Sequence, residues 1–320
     1  MTQLTILLSL VGHQPLPTLL AIRHWQPAKV ILLGSNDPEI VKRRNHLVKM
    51  LKDECSKDGK PVELLETDPV YEWSMADVAE KVEYALEDEK SQAKIVCDVT
   101  GGTKTMAIGL VQYAHKYHAD VVYIASDKLE TRLFRFDFDP QSSQLVGESQ
   151  TPIGPQLKIV DLFRAYLGHE ELEKKSERSN QNNDGPYFER DIGLGFAPYV
   201  DERANSVLVV KSGHEEADWV LRKQNRFAIV ECKVNSDMLG GMRQLNNMAS
   251  ERYLGTYTAK ILAIKTIKDV QYKDYMALAA QHNIHILHLP DWKGSEQTCH
   301  QWSKLELAEF EKVIHKAFNV

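Results

Sequence analysis

Short apolar runs recur through the first 150 residues, and a longer amphipathic stretch separates each from the next. The runs that predict strands are Leu4–Val11, Lys29–Leu33, Val62–Leu65, Lys94–Asp98 and Asp120–Ala125. The stretches that predict helices are Leu16–Trp25, Pro38–Cys55, Ser74–Leu86 and Thr103–Tyr117. Strands that alternate with helices in this way are typical of a parallel sheet. We therefore expect a doubly wound, Rossmann-like α/β domain over residues 1–150.

The segment after this domain is predicted to connect it to the rest of the chain. A charged extension that can form two strands lies at Arg132–Phe138 and Gln144–Gly147, and Leu157–Leu167 predicts a further helix. His169–Gly185 is rich in Glu, Lys, Ser and Asn, and its one apolar residue is Leu172. Such a segment cannot bury enough apolar surface to fold alone. Residues 151–185 are therefore predicted to be a connecting helix and linker.

Residues 186–320 predict a second α/β domain. Its predicted helices are Pro186–Ile192, Met242–Leu254, Val270–His282 and Lys304–Phe318. Its predicted strands are Ser206–Lys211, Ala217–Leu221, Phe227–Val234, Lys260–Ile264 and Ile284–Leu287. The 320 residues leave room for two domains with cores of their own.

Charge and cysteine content exclude some classes of protein. The net charge of −6 argues against a nucleic-acid binder that works by bulk positive charge, although it leaves a local basic cleft possible. The four cysteines, Cys55, Cys97, Cys232 and Cys299, form no CxxC pair, which argues against a disulfide framework and a structural zinc site. No apolar run has the length of a membrane span, and the apolar start lacks the features of a signal peptide. We expect a cytoplasmic protein without a membrane partner.

Two charged residues share one face of the predicted strand Phe227–Val234. Glu231 and Lys233 are two residues apart, so their side chains point the same way. Charged groups leave water at a high cost unless they are paired or bind a metal. Asp218, which follows Glu216 on the preceding strand, comes near Glu231 if a hairpin joins the strands. Clustered carboxylates favour a cation, here Mg²⁺ or Mn²⁺, and a metal beside a lysine suits phosphodiester cleavage.

The spacing of Glu231 and Lys233 is weak on its own. The segment Glu173–Lys175 has the same spacing in the predicted linker, where it is solvated charge. Strand context and the nearby Asp218 distinguish the first triplet from the second. Gln244, on the following helix, either contacts nucleic acid, orients the site or is an ordinary surface glutamine, and the last is the most common case.

Two loops of the first domain follow predicted strands, where open α/β sheets bind their ligands. One is Val11–Pro17, and the other is Asp98–Thr105, which contains two glycines and opens a helix. Glycines allow close backbone approach, and a helix N-terminus attracts phosphate. A nucleotide-triphosphatase P-loop is excluded because Thr103 separates the second glycine from Lys104, and no GxGxxG follows the first strand. A simple tight turn explains the glycines equally well.

Taken together, Leu8–Pro17 and Thr100–Lys104 make the first 150 residues resemble a CARF domain (CRISPR-associated Rossmann fold). The resemblance implies that these loops bind a cyclic oligoadenylate across the twofold axis of a homodimer. The residues that it assigns to the ligand are Gly12, His13, Gln14, Ser35, Thr100, Gly101, Gly102, Thr103 and Lys104.

The second domain resembles the PD-(D/E)xK nuclease superfamily. Asp218 matches its first acidic position, and Glu231 and Lys233 match the (D/E)xK element. Glu189 resembles the helical glutamate that lies upstream in that superfamily. Ala217 stands where the motif has proline, a position at which proline is commonly absent. The resemblance implies that Asp218, Glu231 and Glu189 bind Mg²⁺ or Mn²⁺, and that these three and Lys233 are catalytic.

Over its whole length the chain resembles the compact single-CARF ancillary nucleases of type III CRISPR defence. This resemblance implies a metal-dependent endonuclease that cleaves DNA or RNA and is activated by cyclic tetra-adenylate. Two alternatives remain open. A repair or restriction-like nuclease would share the second site but need no messenger, and a non-catalytic ligand-sensing regulator would share the first domain.

Overall fold

The chain divides into two compact units, and the boundary falls inside one helix, Ile159–Leu167. Unit 1 comprises Met1–Gln156 and Arg164–Gly168, and unit 2 comprises Leu157–Phe163 and His169–Val320. The computed structural model describes residues 4–58, 62–87, 89, 93–127, 129–139, 145–168, 184–208, 216–250, 253–255, 257–267 and 272–319. Most of the predicted linker therefore lies outside the described residues. No helix within these ranges is long and apolar enough to cross a membrane.

Unit 1 is a seven-stranded sheet with the order β3-β2-β1-β4-β5-β6-β7. Its strands are β1 Leu4–Leu10, β2 Lys29–Leu33, β3 Glu63–Leu64, β4 Ala93–Asp98, β5 Asp120–Asp127, β6 Glu130–Phe138 and β7 Leu145–Ile153. Its helices are α1 Leu16–Trp25, α2 Pro38–Asp58, α3 Met75–Ala85 and α4 Lys104–Lys116, and α5 is the shared helix Ile159–Leu167. Strands β1 to β5 run parallel, and β6 and β7 extend the same sheet in antiparallel fashion.

The central strand β1 is buried on both faces of the sheet. Leu7 and Leu8 are fully buried, and Ile6, Leu8 and Leu10 belong to a core that includes Met106 of α4. Side chains alternate between the two faces of a strand, so burial of successive residues indicates cover on both faces. The chain leaves β1 for β2 on one side and later reaches β4 on the other. This reversal creates the crevice at which open α/β sheets bind ligands.

Unit 2 is a five-stranded mixed sheet with the order β12-β11-β10-β9-β8. Its strands are β8 Glu202–Leu208, β9 Glu216–Lys223, β10 Arg226–Lys233, β11 Ala259–Ile264 and β12 Ile284–His288. Its helices are α6 Gly185–Phe196, α7 Met238–Met248, α8 Tyr272–Gln281 and α9 Lys304–Phe318. Strands β10 to β12 run parallel, whereas β8 and β9 are antiparallel to their neighbours. The predicted fold class, two α/β domains, is confirmed.

Helix α7 differs most from its prediction, because it begins at Met238 rather than at residue 242 and ends at Met248. The side chain of Asp237 caps it by accepting a hydrogen bond from the Gly240 nitrogen at 3.0 Å. Two glycines in the first turn weaken the helical pattern in the sequence. Gly241 is nevertheless needed there, since a Cβ atom would lie 2.6 Å from Cδ1 of Leu262 on the sheet.

Candidate functional site

The loops after β1 and β4 touch each other at their glycines. A Cβ atom on Gly101 would lie only 2.0 Å from the carbonyl oxygen of Leu10, and one on Gly12 would lie 3.0 Å from the Gly102 nitrogen. Gly102 also has a φ of 69°, in the left-handed region that favours glycine. These glycines therefore permit the contact between the two loops. The same contact gathers two stretches of exposed or half-buried backbone at the crevice of unit 1.

A buried aspartate holds the second loop to the sheet. Asp98 Oδ2 accepts a hydrogen bond from Ser9 Oγ at 2.6 Å, and Oδ1 accepts from the Thr100 nitrogen at 3.0 Å and the Thr100 hydroxyl at 2.5 Å. Burial raises the pKa of Asp98, and these hydrogen bonds oppose that rise. The Thr100 hydroxyl also accepts from the Ile124 nitrogen at 2.8 Å. Thr100 therefore braces the loop through contacts within the protein.

Thr103 and Lys104 begin helix α4. The Thr103 hydroxyl accepts a hydrogen bond from the Met106 nitrogen at 3.2 Å and donates one to the Glu72 carbonyl at 2.9 Å. Lys104 is the first residue of α4 and is exposed, as is His13 in the other loop. Of the residues predicted to bind the ligand, His13 and Lys104 are those whose side chains are most open to solvent. They add positive or hydrogen-bonding character to a helix N-terminus.

Gln14 and Ser35 make hydrogen bonds within the protein at the crevice of unit 1. Gln14 Oε1 accepts a hydrogen bond from the hydroxyl of Tyr166, a buried residue of α5. The guanidinium of Arg43 lies 4.8 Å from the centre of the Tyr166 ring and donates to the Tyr166 carbonyl. Ser35 is buried, and its hydroxyl accepts from the Asp37 nitrogen at 3.4 Å. The sequence analysis missed Tyr166, because no local pattern relates it to the first loop.

In unit 2, a tight hairpin joins β9 to β10, as predicted. Residue Gln224 turns the chain with a φ of 55°, and the register pairs Val230 with Trp219. The Cys232 nitrogen donates a hydrogen bond to Asp218 Oδ2 at 2.6 Å. The hairpin therefore brings Asp218 beside the end of β10, where Glu231 and Lys233 lie.

Glu231 is a buried carboxyl whose two oxygens differ in their hydrogen bonding. Its side chain accepts a hydrogen bond through Oε1 from Lys233 Nζ at 2.6 Å, while Oε2 is buried and has no hydrogen-bond partner in the described part of the chain. Burial raises the pKa of Glu231 to about 8, the charge of Asp218 adds to the rise, and Lys233 opposes it. Burial alone would lower the pKa of Lys233, but the negative charges of Glu231 and Asp218 outweigh it and raise that pKa. Lys233 is therefore a cation at neutral pH in this arrangement.

Gln244 of helix α7 orients this lysine. Lys233 Nζ donates a hydrogen bond to Gln244 Oε1 at 2.8 Å, so the ammonium is held between Glu231 and Gln244. The helix lies close to the sheet because residue 241 is glycine, where a Cβ atom would lie 2.6 Å from Leu262 Cδ1. Gln244 is half-buried, so the view of it as an ordinary surface glutamine is wrong.

Glu189 lies on helix α6, which crosses the hairpin at Trp219. The Trp219 indole donates a hydrogen bond to the Glu189 carbonyl at 2.7 Å. The helix approaches closely because residue 193 is glycine, where a Cβ atom would lie 2.0 Å from the Trp219 ring. Burial raises the pKa of the Cys232 thiol, and the charges of Asp218 and Glu189 raise it further. Glu189 therefore contributes negative charge at the same end of β10.

The arrangement fits an open divalent-cation site. Asp218 and Glu231 offer hard carboxylate oxygens, and the buried Oε2 of Glu231 accepts no hydrogen bond from the residues that the structure describes. Within the ranges that the structure describes, no three His, Cys, Asp or Glu side chains are placed to hold one ion together. Mg²⁺ usually binds through one or two carboxylates and completes its shell with water and substrate phosphate. The residues suit that mode of binding rather than a closed structural cage.

Comparison with known families finds a match within the first unit. Residues 6–142 match the family of the Card1 CARF domain. We refer to this matched range as the CARF domain. The matched range includes the loops after β1 and β4, so the predicted resemblance is confirmed. The CARF domain thus contains every residue that the sequence analysis assigned to the ligand.

Solved structures resemble the chain beyond its CARF domain. Can2 from Sulfobacillus thermosulfidooxidans, in complex with cyclic tetra-adenylate, aligns with a TM-score of 0.68 and 13% identity, over 99% of this chain and 100% of that chain. A type III CRISPR defence DNA nuclease activated by cyclic oligoadenylate aligns with a TM-score of 0.57 and 14% identity, over 98% of this chain and 52% of that one. At these identities the likeness shows the fold, which is that of Can2.

A curated relative with a different role matches a smaller part of the chain. It is the protein translocase subunit SecA of Chromobacterium violaceum, 26% identical over 159 residues. The match covers 48% of this chain and 15% of SecA. Because the chain spans only this small share of SecA, translocase activity does not carry over to it.

Proposed function

We propose that the chain is a metal-dependent endonuclease of type III CRISPR defence. We propose further that cyclic tetra-adenylate activates this endonuclease. The observation that carries the proposal is the gathering of Asp218, Glu231 and Lys233 on one hairpin of a chain that also has a CARF domain. Can2 supports it, since its structure holds cyclic tetra-adenylate, and so does the DNA nuclease that a cyclic oligoadenylate activates.

At the proposed nuclease site, Asp218 and Glu231 would hold Mg²⁺ or Mn²⁺, and Glu189 would add negative charge from α6. When bound, the ion activates water and stabilises negative charge on the phosphate. Glu231 holds Lys233 in place by accepting its hydrogen bond through Oε1, and Oε2 would bind the cation. Lys233, held also by Gln244, presents a fixed positive charge that attracts a phosphate oxygen and orients the attacking water.

At the proposed ligand site, the backbone of the two glycine loops and the N-terminus of α4 bind phosphates. Lys104 and His13 supply side-chain contacts at the open side of the crevice. The chain carries a net charge of −6, so an anionic ligand needs this local concentration of donors. A ring with repeated phosphates is read by two copies of the loops, and the active form is accordingly a homodimer.

Substitutions at the hairpin test the catalytic half of the proposal. Asp218→Asn keeps an oxygen that can accept from the Cys232 nitrogen but loses the charge, and Lys233→Ala loses the ammonium. Both variants should lose cleavage of a panel of DNA and RNA substrates with Mn²⁺ and still bind cyclic tetra-adenylate. Glu309→Gln, at an exposed position of α9, is the matched control and should cleave as the wild type does. Cleavage by either hairpin variant at the wild-type rate would overturn the site.

Lys104→Ala tests the sensing half. The variant should bind cyclic tetra-adenylate more weakly in calorimetry, and the difference should be larger at low salt because salt screens contacts to phosphate. At saturating ligand its cleavage rate should return to that of the wild type. Unchanged affinity would contradict the proposed phosphate contact. A wild-type protein that cleaves equally without ligand would be a messenger-independent nuclease, and one that binds without cleaving would be a regulator.

A further inference from the structure

Two large aromatic side chains are exposed in a turn of the CARF domain. The turn spans Tyr71 to Ser74 and is closed by a hydrogen bond from the Ser74 nitrogen to the Tyr71 carbonyl at 3.0 Å. Tyr71 is 65% exposed and Trp73 is 68% exposed. Single exposed apolar residues are ordinary, whereas neighbouring ones often mark a binding surface.

This turn is fixed beside the second glycine loop. The Thr103 hydroxyl donates a hydrogen bond to the carbonyl of Glu72, the residue between the two aromatics, at 2.9 Å. On the other side, Asp77 Oδ2 accepts a hydrogen bond from the Tyr71 nitrogen at 2.6 Å. The turn is therefore tied directly to the proposed phosphate loop and to the start of α3. The backbone that carries the two aromatic side chains is held beside that loop.

Exposed apolar side chains also occur on α3, which follows the turn, and on α4, which follows the loop. Met75, the first residue of α3, is 40% exposed, and Ile108, one turn beyond Lys104 on α4, is 52% exposed. The helices meet at Gly109, where a Cβ atom would lie 2.7 Å from the Met75 carbonyl oxygen. Exposed apolar side chains thus lie on the turn and the two helices that flank a loop with backbone donors and the positive charge of Lys104. A ligand that suits both surfaces has phosphate groups and planar rings.

We propose that Trp73, supported by Tyr71, stacks on an adenine base of the ligand whose phosphates bind at Gly101–Lys104. The proposal rests on the proposed function, since it takes the ligand to be a cyclic oligoadenylate. Each base has a flat π-face that stacks on an aromatic side chain, and loss of such a contact weakens binding about tenfold or more. A second copy of the chain is the rival occupant of this surface. The hydrogen bond between Thr103 and Glu72 favours the base, because it holds the turn that carries Tyr71 and Trp73 at the phosphate loop.

The test compares Trp73→Ala, Trp73→Phe and the control Tyr84→Ala by calorimetry with cyclic tetra-adenylate. Tyr84 is 78% exposed and lies nine residues beyond Met75, near the other end of α3. We expect Trp73→Ala to bind about tenfold more weakly or worse, Trp73→Phe to stay within about threefold, and Tyr84→Ala to match the wild type. Binding should also quench tryptophan fluorescence in the wild type and much less in Trp73→Phe.

Oligomeric state, measured by light scattering on the same samples, separates the two occupants. Weaker binding with an unchanged oligomeric state supports stacking. Binding of Trp73→Ala at the wild-type level overturns stacking and leaves the proposed function intact. Loss of the dimer together with binding would show that the surface is an interface between copies, which also overturns stacking. Failure of the wild type to bind any cyclic tetra-adenylate would overturn the proposed function itself.

Discussion

Replacement of the Glu231 carboxyl by an amide should change how the unfolding free energy of unit 2 depends on pH. The pKa of this carboxyl rises from an ordinary 4.5 to about 8, first because of burial and then because of the charge of Asp218. A group whose pKa is raised on folding contributes stability that is complete below pH 4.5 and is lost as the pH rises through about 8. Without a divalent cation, the unfolding free energy of the wild type should therefore fall, relative to Glu231→Gln, across this range.

The size of the effect follows from the pKa difference. One pKa unit corresponds to about 1.4 kcal/mol, so a rise from 4.5 to about 8 sets an upper bound of ~5 kcal/mol. This value already includes the opposing effect of Lys233, which stays protonated and lies 2.6 Å from Glu231, and the part of the loss between pH 4.5 and pH 5 falls outside the measured range. We expect a relative loss of about 2–4 kcal/mol between pH 5 and pH 9. An excess of Mn²⁺ should remove this loss, because a cation stabilises the ionised carboxyl.

Denaturant unfolding in the presence of a chelator measures the effect. Three tryptophans, Trp219, Trp292 and Trp302, belong to unit 2, so fluorescence follows its unfolding. The reasoning is refuted if the difference in unfolding free energy between wild type and Glu231→Gln is the same at pH 5 and pH 9.

Glu306→Gln is a control of opposite sign. Glu306 belongs to the capping box of α9, where hydrogen bonds from Ser303 outweigh the effect of burial and lower its pKa. Its contribution is present above its ordinary pKa of 4.5 and is lost as the pH falls through the lower folded value. The stability difference between wild type and this variant should therefore shrink toward acid pH and stay constant between pH 6 and pH 9.

Three further outcomes are expected. Calorimetry of Mn²⁺ binding in buffers of different ionisation enthalpy should show release of up to one proton from Glu231 at pH 7, and almost none above pH 9, because its pKa is about 8. Gly101→Ala should lower the thermal stability of the CARF domain by about 2 kcal/mol or more, since its Cβ would lie 2.0 Å from the last carbonyl oxygen of β1, whereas Gly154→Ala, with nothing within 4 Å, should be near neutral. Tyr166→Phe should cost about 1–2 kcal/mol and weaken ligand binding, because Gln14 loses its hydroxyl partner while the ring remains; an unchanged thermal midpoint and affinity would contradict this.

Most of the fold could be predicted because its signals are local. Helices α1 and α9 have the predicted bounds. Helix α1 is a continuous, largely apolar run with a proline in its first turn, and α9 is an amphipathic run with the Ser303–Glu306 capping box. The start of α7 could not be predicted in the same way. Residue 241 must be small because the helix packs closely against β11. The Gly240–Gly241 pair has low helix propensity and therefore hides the helical pattern in the sequence.

The same distinction between local signals and tertiary packing applies to the candidate sites. Asp218 and Glu231 could be placed together because a short hairpin joins their strands, and strand periodicity put Lys233 on the face of Glu231. The contact between Lys233 and Gln244 depends on how closely α7 approaches the sheet, which the sequence does not encode locally. The contact between Gln14 and Tyr166 joins residues that are far apart in the chain, and only the folded structure brings it into view.

The central claim is that one chain senses a cyclic oligoadenylate and cleaves nucleic acid in response. The most direct measurement is the cleavage rate of the purified protein with Mn²⁺ as cyclic tetra-adenylate is added. A ligand shifts activity only through its different affinity for the inactive and active states, so the rate should rise from background and saturate with the occupancy of the CARF domain. A rate that does not change across the titration would contradict the account.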